Sequence, residues 1–305
     1  ILTFTLLLFS LVNLPVGAQE GESPSRLPDY PIPLVDESLI KPHPPLIQIG
    51  PGLVQTGRLE RGFDVPGGAV WRPSFWVYGN LRSGINLVDP GGSGDRIVEW
   101  AQRMDLFGNL QLNGTERFLI GLSPLHQRGS FSRYVFEPES EEGWVYETNT
   151  RVTTFFFEGE LSELIPALDP DGTRKLDYGF SVGRWRVDLQ DGLLVNDMMD
   201  AVGITRFVAV PGTATTRMTL IAGWDEVSRD NNLLSEESRY LSFSAEADTY
   251  KSTIDLDVVH VDAPVAEGGS AWFLGWGSSQ RLKFGGESYN TTFRICSSIA
   301  DEDDN

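Results

Sequence analysis

The chain has 305 residues, a formal net charge of -19 and a single cysteine, Cys296. The excess of acidic residues argues against a nucleic-acid partner, because phosphates are bound by Lys and Arg, and one cysteine excludes a disulfide framework or a redox or metal site built from several cysteines. A hydrophobic content of 40% is low for a helical membrane protein, but it is compatible with a transmembrane sheet in which only alternate residues face lipid.

The first residues combine a short apolar run, from Ile1 to Leu14, with the small residues Val16 and Ala18. This pattern is typical of a secretory signal peptide and its cleavage site. The run is shorter than the roughly 20 residues that a membrane-spanning helix needs. Because neither an initiator methionine nor a basic segment precedes it, we interpret residues 1–18 as a clipped signal peptide.

Residues 19–70 differ in composition from the rest of the chain. They contain nine prolines, and proline interrupts helices and central strands. We therefore predict an extended periplasmic arm or linker over residues 19–70. The strand-like pattern begins near Trp71, and residues 71–305 are predicted to form a partial β-barrel.

The clearest strand pattern lies between residues 100 and 112. Its even positions are mostly apolar and its odd positions mostly polar, so the strand has one apolar face and one polar face. A run of about a dozen residues fits the roughly 9 to 11 residues of a tilted transmembrane strand better than the usual length of about 5 to 6. Asn113-Gly114 then precedes a second alternating run, which predicts a β-hairpin.

Similar alternation recurs along the rest of the chain. The connections 113–115, 211–214 and 250–252 are short, whereas 188–202 and 226–238 are longer. Short turns on one side and longer loops on the other are typical of a transmembrane barrel. The eleven predicted strands are 75–87, 100–112, 116–125, 148–161, 176–187, 203–210, 215–225, 239–249, 253–262, 270–277 and 287–297.

The predicted fold is all-β, an antiparallel up-and-down transmembrane β-barrel. Bacterial single-chain barrels have an even number of strands. An odd count that ends in the acidic run Asp301 to Asn305 therefore indicates a barrel that is incomplete at its C-terminus. Two connections stand out: residues 126–147, with five glutamates, are predicted to form an acidic surface loop, and residues 162–175 are predicted to hold one helical turn.

A strand that ends in Gly183-Arg184 is followed by an acidic, glycine-containing stretch up to Asp200. Together with the strand pattern from Trp71 to Ser297, this segment resembles large outer-membrane porin-like barrels and is similar to alginate-export-like channels. The resemblance implies a passive or substrate-selective pore, often with a loop folded inward. The candidates for such a constriction loop are Asp188, Asp191, Asp197 and Asp200. A solvated loop, or oxygen ligands for a hard cation, are the alternative roles of these carboxylates.

Charged residues at the polar positions of the strands are predicted to line the interior of the barrel. Basic and acidic walls set up a transverse field that selects solutes by charge, and mutual pairing of the charges is the alternative. The predicted pore-lining residues are Arg82, Arg103, Asp105, Arg117, Arg151, Arg217, Glu246, Asp248, Asp255 and Asp257.

Two sequence motifs of hydrolytic enzymes are absent, and although the many carboxylates leave a glycosidase pair open, no pattern singles out one pair. Neither Gly-x-Ser-x-Gly nor His-Glu-x-x-His occurs, and His43, His126 and His260 are far apart in the chain. We therefore predict no catalytic residue, no cofactor and no metal site.

The expected function is a channel in the outer membrane of a Gram-negative bacterium that passes small hydrophilic solutes or ions. Its surroundings would be outer-membrane lipid, and association into a homo-oligomer is left open. The alternative is a secreted or periplasmic β-sandwich that binds or cleaves carbohydrate, whose two sheets would hide their apolar faces in a common core. Outward-facing Met218, Leu220, Leu241 and Phe243 in one belt would distinguish the channel from the sandwich.

Overall fold

The computed structural model describes residues 45–50, 61–92, 94–127, 129–171, 173, 176–224, 227–228, 234–235 and 237–301. The predicted signal peptide and most of the predicted proline-rich arm lie outside these residues.

The described residues form an all-β structure, which confirms the predicted fold class. Their strands are β1 Ile47–Ile49, β2 Phe63–Asp64, β3 Val70–Trp71, β4 Ser74–Val88, β5 Ile97–Gln111, β6 Arg117–Leu122, β7 His126–Gln127, β8 Ser130–Glu137, β9 Gly143–Val145, β10 Val152–Glu160, β11 Gly179–Leu189, β12 Val195–Val208, β13 Thr215–Trp224, β14 Val227–Ser228, β15 Leu234–Ser235, β16 Arg239–Asp248, β17 Ser252–Asp262, β18 Ala271–Phe284 and β19 Glu287–Ala300.

Helical structure is limited to short connections in the described ranges. One helical turn, α1 (Leu161–Leu164), and the 3-10 helix Pro166–Leu168 confirm the turn predicted within residues 162–175. Two further 3-10 helices span Glu139–Glu141 and Val265–Glu267. Nowhere among the described residues is a helix both long enough and apolar enough to cross a bilayer.

The long strands form one antiparallel up-and-down sheet, as predicted. Its order is β1-β4-β5-β6-β10-β11-β12-β13-β16-β17-β18-β19, so nearly every strand pairs with its neighbours in the chain. The eleven strands from β4 to β19 in this order correspond to the eleven predicted ones. In the described part of the chain, β1 and β19 are the two ends of the order and do not pair with each other.

Two connections differ from the prediction. Residues 126–147 are not a plain loop, because β8 pairs with β5 and with β9 and extends the sheet. The glutamates of this segment were interpreted as a sign of a loop, although Ser130–Glu137 is a strand of the sheet. The predicted loop 188–202 is also wrong: β11 continues to Leu189 and β12 begins at Val195, which leaves a turn of five residues. The predicted linker likewise contains described strands: β1 pairs with β4, and β2 pairs with β3 at the end of the linker.

One face of the sheet, called the outer face, carries apolar side chains that remain exposed. Ile204, Leu220, Phe243, Val258 and Leu274 lie directly opposite one another on five successive strands. Their exposed fractions are between 38% and 45%. The period-2 alternation of the sequence therefore places an apolar row on the surface, where a soluble sheet would usually place polar residues.

The opposite face, called the inner face, contains the buried core. Met199, Ala201 and Val259 are fully buried. They pack with Val187, Ile221, Tyr240 and Val261 near the ends of β11 to β17 that adjoin the longer connections. The core covers only this end of the inner face, and polar residues occupy the remainder.

Candidate functional site

The turn between β11 and β12, residues 190–194, folds onto the inner face of distant strands. The Gln190 Nε2 atom donates a hydrogen bond of 2.6 Å to Oδ2 of Asp257 on β17. Gln190 and Asp191 have φ values of 54° and 56°, a left-handed conformation that residues with a side chain rarely adopt. Because β11 and β17 are separated by three strands of the sheet, this contact requires the sheet to curve around its inner face.

Two glycines of β18 make room for the turn. A Cβ atom on Gly275 would lie 2.7 Å from Cγ of Gln190, and one on Gly277 would lie 2.5 Å from Oε1 of Gln190. A side chain at position 275 would displace Gln190 and Leu194 of the turn, and one at position 277 would displace the ends of the Gln190 and Arg294 side chains. The glycines therefore act as the receiving surface for residues 190–194.

Arg294 on β19 connects the turn to the sheet. Its Nη2 atom lies 2.8 Å from Oδ2 of Asp191, and its Nη1 atom donates to Oδ2 of Asp255 at 2.9 Å. The Arg294 side chain is only 12% exposed. One guanidinium group thus contacts a carboxylate of the turn and a carboxylate of the sheet.

A cavity of about 850 Å³ lies against this turn on the inner face. Its lining contains six carboxylates and two arginines of the inner face, whereas the side chains of Arg186 and Asp188, which also adjoin it, belong to the outer face of β11. A second cavity of about 570 Å³ contains Arg117 and Arg206 in its lining. The two cavities share Glu158, Trp185 and Thr205, so they adjoin.

The predicted pore-lining residues fall into two groups. On β4 to β6, Arg103 contacts Asp105 at 2.9 Å, and Arg82 lies directly opposite Arg103. The Arg117 guanidinium pairs across strands with Glu158. The second group surrounds the 850 Å³ cavity and consists of Arg217, Glu246, Asp248, Asp255 and Asp257. Arg151 lies outside this arrangement, in a bend that precedes β10.

Within the second group, two residues form a cross-strand pair. Arg217 Nη2 donates to Oε2 of Glu246 at 2.8 Å, and both side chains remain substantially exposed. Asp248 instead accepts hydrogen bonds from the hydroxyls of Thr215 and Thr253. Part of the predicted lining is thus neutralised by pairing, whereas Asp248 has neutral partners.

The four constriction-loop candidates do not share one loop. Only Asp191 lies in the turn; Asp188 is near the end of β11, and Asp197 and Asp200 belong to β12. Asp200 pairs with Arg184 through two hydrogen bonds of 2.8 and 2.9 Å. The sequence prediction failed here because acidic residues in a strand were interpreted as a sign of a loop.

Sequence reasoning missed three residues of the site. Arg294 occupies a polar position of an alternating strand, and a systematic use of that alternation would have included it, whereas Glu158 follows three consecutive phenylalanines that hide the alternation. Gln190 has no comparable signal, because its role depends on where the turn packs.

A buried carboxylate, that of Glu116, lies at the other end of the strands from the turn of residues 190–194. The Glu116 side chain is fully buried in the turn between β5 and β6. Nearby, Thr115 Oγ1 donates to Oε2 of Glu163 on α1 at 2.9 Å. Burial raises the pKa of Glu116 above its ordinary value, and the charge of Glu163 raises that pKa further.

This raised pKa gives the first testable prediction. Because the folded pKa lies above the unfolded one, Glu116 supports folding in its protonated form, and that contribution is lost as the pH rises through the folded pKa. We expect Glu116→Gln to become more stable than the native protein as the pH rises above 4.5, the ordinary pKa value. Guanidinium unfolding over a pH series would measure the difference.

The exposed residue Glu287 provides the matched control for this experiment. Glu287→Gln removes the same charge at an exposed position of β19 and therefore measures the effect of the substitution without burial. If the free energy of unfolding of Glu116→Gln varied with pH in the same way as that of the native protein, Glu116 would not titrate as a buried group.

No family model, curated protein or solved structure matches the chain. The resemblance to porin-like channels therefore stays a prediction. Within the residues that the structure describes, no three His, Cys, Asp or Glu side chains are grouped so that they could hold a metal ion.

Proposed function

We propose that the chain forms a channel of the bacterial outer membrane, with the outer face of its sheet against lipid and the inner face along an aqueous path for small hydrophilic solutes. The observation that carries the proposal is the exposed apolar row Ile204, Leu220, Phe243, Val258 and Leu274. Exposure of this row to water would be unfavourable, because burying one such apolar side chain stabilises a protein by about 1.5–3 kcal/mol. Lipid removes that cost.

The height of the apolar surface agrees with a bilayer. On β5, the outer-face residues Trp100 and Leu110 are ten positions apart. At about 3.3 Å per residue, and with a strand tilt of about 45°, this separation corresponds to a height of about 23 Å. Barrels of the outer membrane have an apolar band of roughly 25 Å.

Aromatic residues lie at both limits of this surface. Trp100, Trp224 and Trp272 are exposed on the outer face, each near a longer connection. Towards the shorter connections, Phe118 and Phe157 stack with their ring centroids 4.5 Å apart. Aromatic girdles of this kind mark the two membrane–water interfaces of transmembrane barrels.

The exposed apolar residues do not favour the alternative of a β-sandwich. Met218, Leu220, Leu241 and Phe243 are 37–48% exposed on one face. Among the described residues, the long strands belong to one sheet, and the remaining two sheets have only two strands each. A sandwich would instead hide these side chains between two large sheets.

Fractionation and conductance test the proposal. The full chain should be recovered in the outer-membrane fraction, should need detergent for extraction and should produce discrete conductance steps in planar bilayers. Recovery as a detergent-free periplasmic protein, or the absence of any conductance from correctly inserted protein, would overturn it.

A further inference from the structure

We propose that the inner face selects cations, so that the solutes of the channel are small inorganic cations or organic ammonium and guanidinium ions. This inference rests on the proposed channel function and assigns its substrate class. It concerns the cavity of about 850 Å³ under the turn of residues 190–194.

The first support is the balance of charge around this cavity. On the inner face, its border has six carboxylates but only two arginines. Both arginines are already occupied: Arg294 contacts Asp191 and Asp255, and Arg217 contacts Glu246. A cleft bordered by one excess sign focuses the field and raises the local concentration of the opposite ion.

The second support is a buried acceptor without a partner. Gln190 is 5% exposed and borders the cavity, and its amide orientation is set by the Nε2 hydrogen bond to Asp257. The Oε1 atom is consequently left without a hydrogen-bond donor in the described part of the chain. The partial negative charge of this unpaired oxygen adds to the potential that attracts cations to the cavity.

The charged and polar groups around the cavity suit transient contacts with passing ions rather than a fixed metal centre. The described carboxylates are not grouped to hold a metal ion. A cation would therefore exchange its hydration shell only partly against the carboxylate oxygens that border the cavity, such as those of Asp257 and Glu246. Conduction requires such weak, repeated contacts, because an ion that binds tightly does not leave.

The sign of the reversal potential tests this inference on the full chain in planar bilayers with a KCl gradient. We expect K⁺ to be preferred over Cl⁻ several-fold. The double variant Glu246→Gln/Asp257→Asn should reduce this preference several-fold, since Asn at position 257 keeps an oxygen for Gln190 but removes the charge. Glu139→Gln, in an exposed 3-10 helix away from the cavity, should leave the preference unchanged.

The single cysteine supplies a second readout that needs no variant of the cavity. Cys296 is exposed and lies two residues from Arg294 on the same face of β19. A positively charged methanethiosulfonate should modify it several-fold faster than a negatively charged one of similar size. Cys296→Ser should abolish the reaction.

The outcomes separate the two proposals. Conductance that prefers Cl⁻ or is unselective, or equal rates of modification by the two reagents, would overturn the cation inference and leave the channel standing. Inserted protein without conductance would overturn the channel itself.

Discussion

Leu220→Arg should prevent stable insertion of the protein into membranes. Leu220 is 45% exposed in the middle of the outer face, between Ile204 and Phe243 on the neighbouring strands. On the surface of a soluble protein, a substitution at such a site changes the free energy of unfolding by no more than about 0.5 kcal/mol. Facing the middle of a bilayer, an arginine costs about 2–4 kcal/mol.

The difference between these two magnitudes makes the experiment decisive. Guanidinium unfolding in lipid vesicles, followed by tryptophan fluorescence, would give the change in free energy. Leu168→Arg is the matched control, because Leu168 is 63% exposed but lies in a 3-10 helix outside the strands. If the two variants unfolded alike, with neither differing from the native protein by more than about 0.5 kcal/mol, the outer face would not contact lipid.

The strands of this fold could be predicted because the pattern that specifies them lies within each short segment of sequence. In β13 the sequence places Met218, Leu220 and Trp224 at alternate positions, and the structure exposes all three on one face. The same alternation predicts β16 and β17 and their faces. Period-2 patterning depends only on the geometry of an extended chain, so no knowledge of the tertiary structure is needed.

The site could not be predicted to the same extent, because its contacts join distant parts of the chain. Asp191 and Arg294 are separated by 103 residues. Their contact depends on the curvature of the sheet, on the left-handed turn and on the space left by Gly275 and Gly277. Composition led instead to the prediction of a long acidic loop, although Asp197 and Asp200 are strand residues.

Arg294 should stabilise the turn of residues 190–194 by more than an exposed ion pair contributes elsewhere in the sheet. The Arg294 side chain is 12% exposed and that of Asp255 is 20% exposed, whereas Arg217 and Glu246 are 48% and 40% exposed. Removal of one partner from a largely buried pair costs about 3–5 kcal/mol, because the remaining charge is left without compensation. An exposed pair contributes at most about 1 kcal/mol.

We therefore expect Arg294→Met to lower the free energy of unfolding by about 3 kcal/mol, and Arg217→Met, which has the same change of side chain, to lower it by less than about 1 kcal/mol. Equilibrium unfolding of both variants in vesicles would measure these values. Arg294→Met should also increase single-channel current noise, because Asp191 loses its contact, which leaves the hydrogen bond from Gln190 to Asp257 and the packing on Gly275 and Gly277 to hold the turn. Equal destabilisation by the two variants, with unchanged noise, would mean that packing on Gly275 and Gly277 holds the turn without help from Arg294.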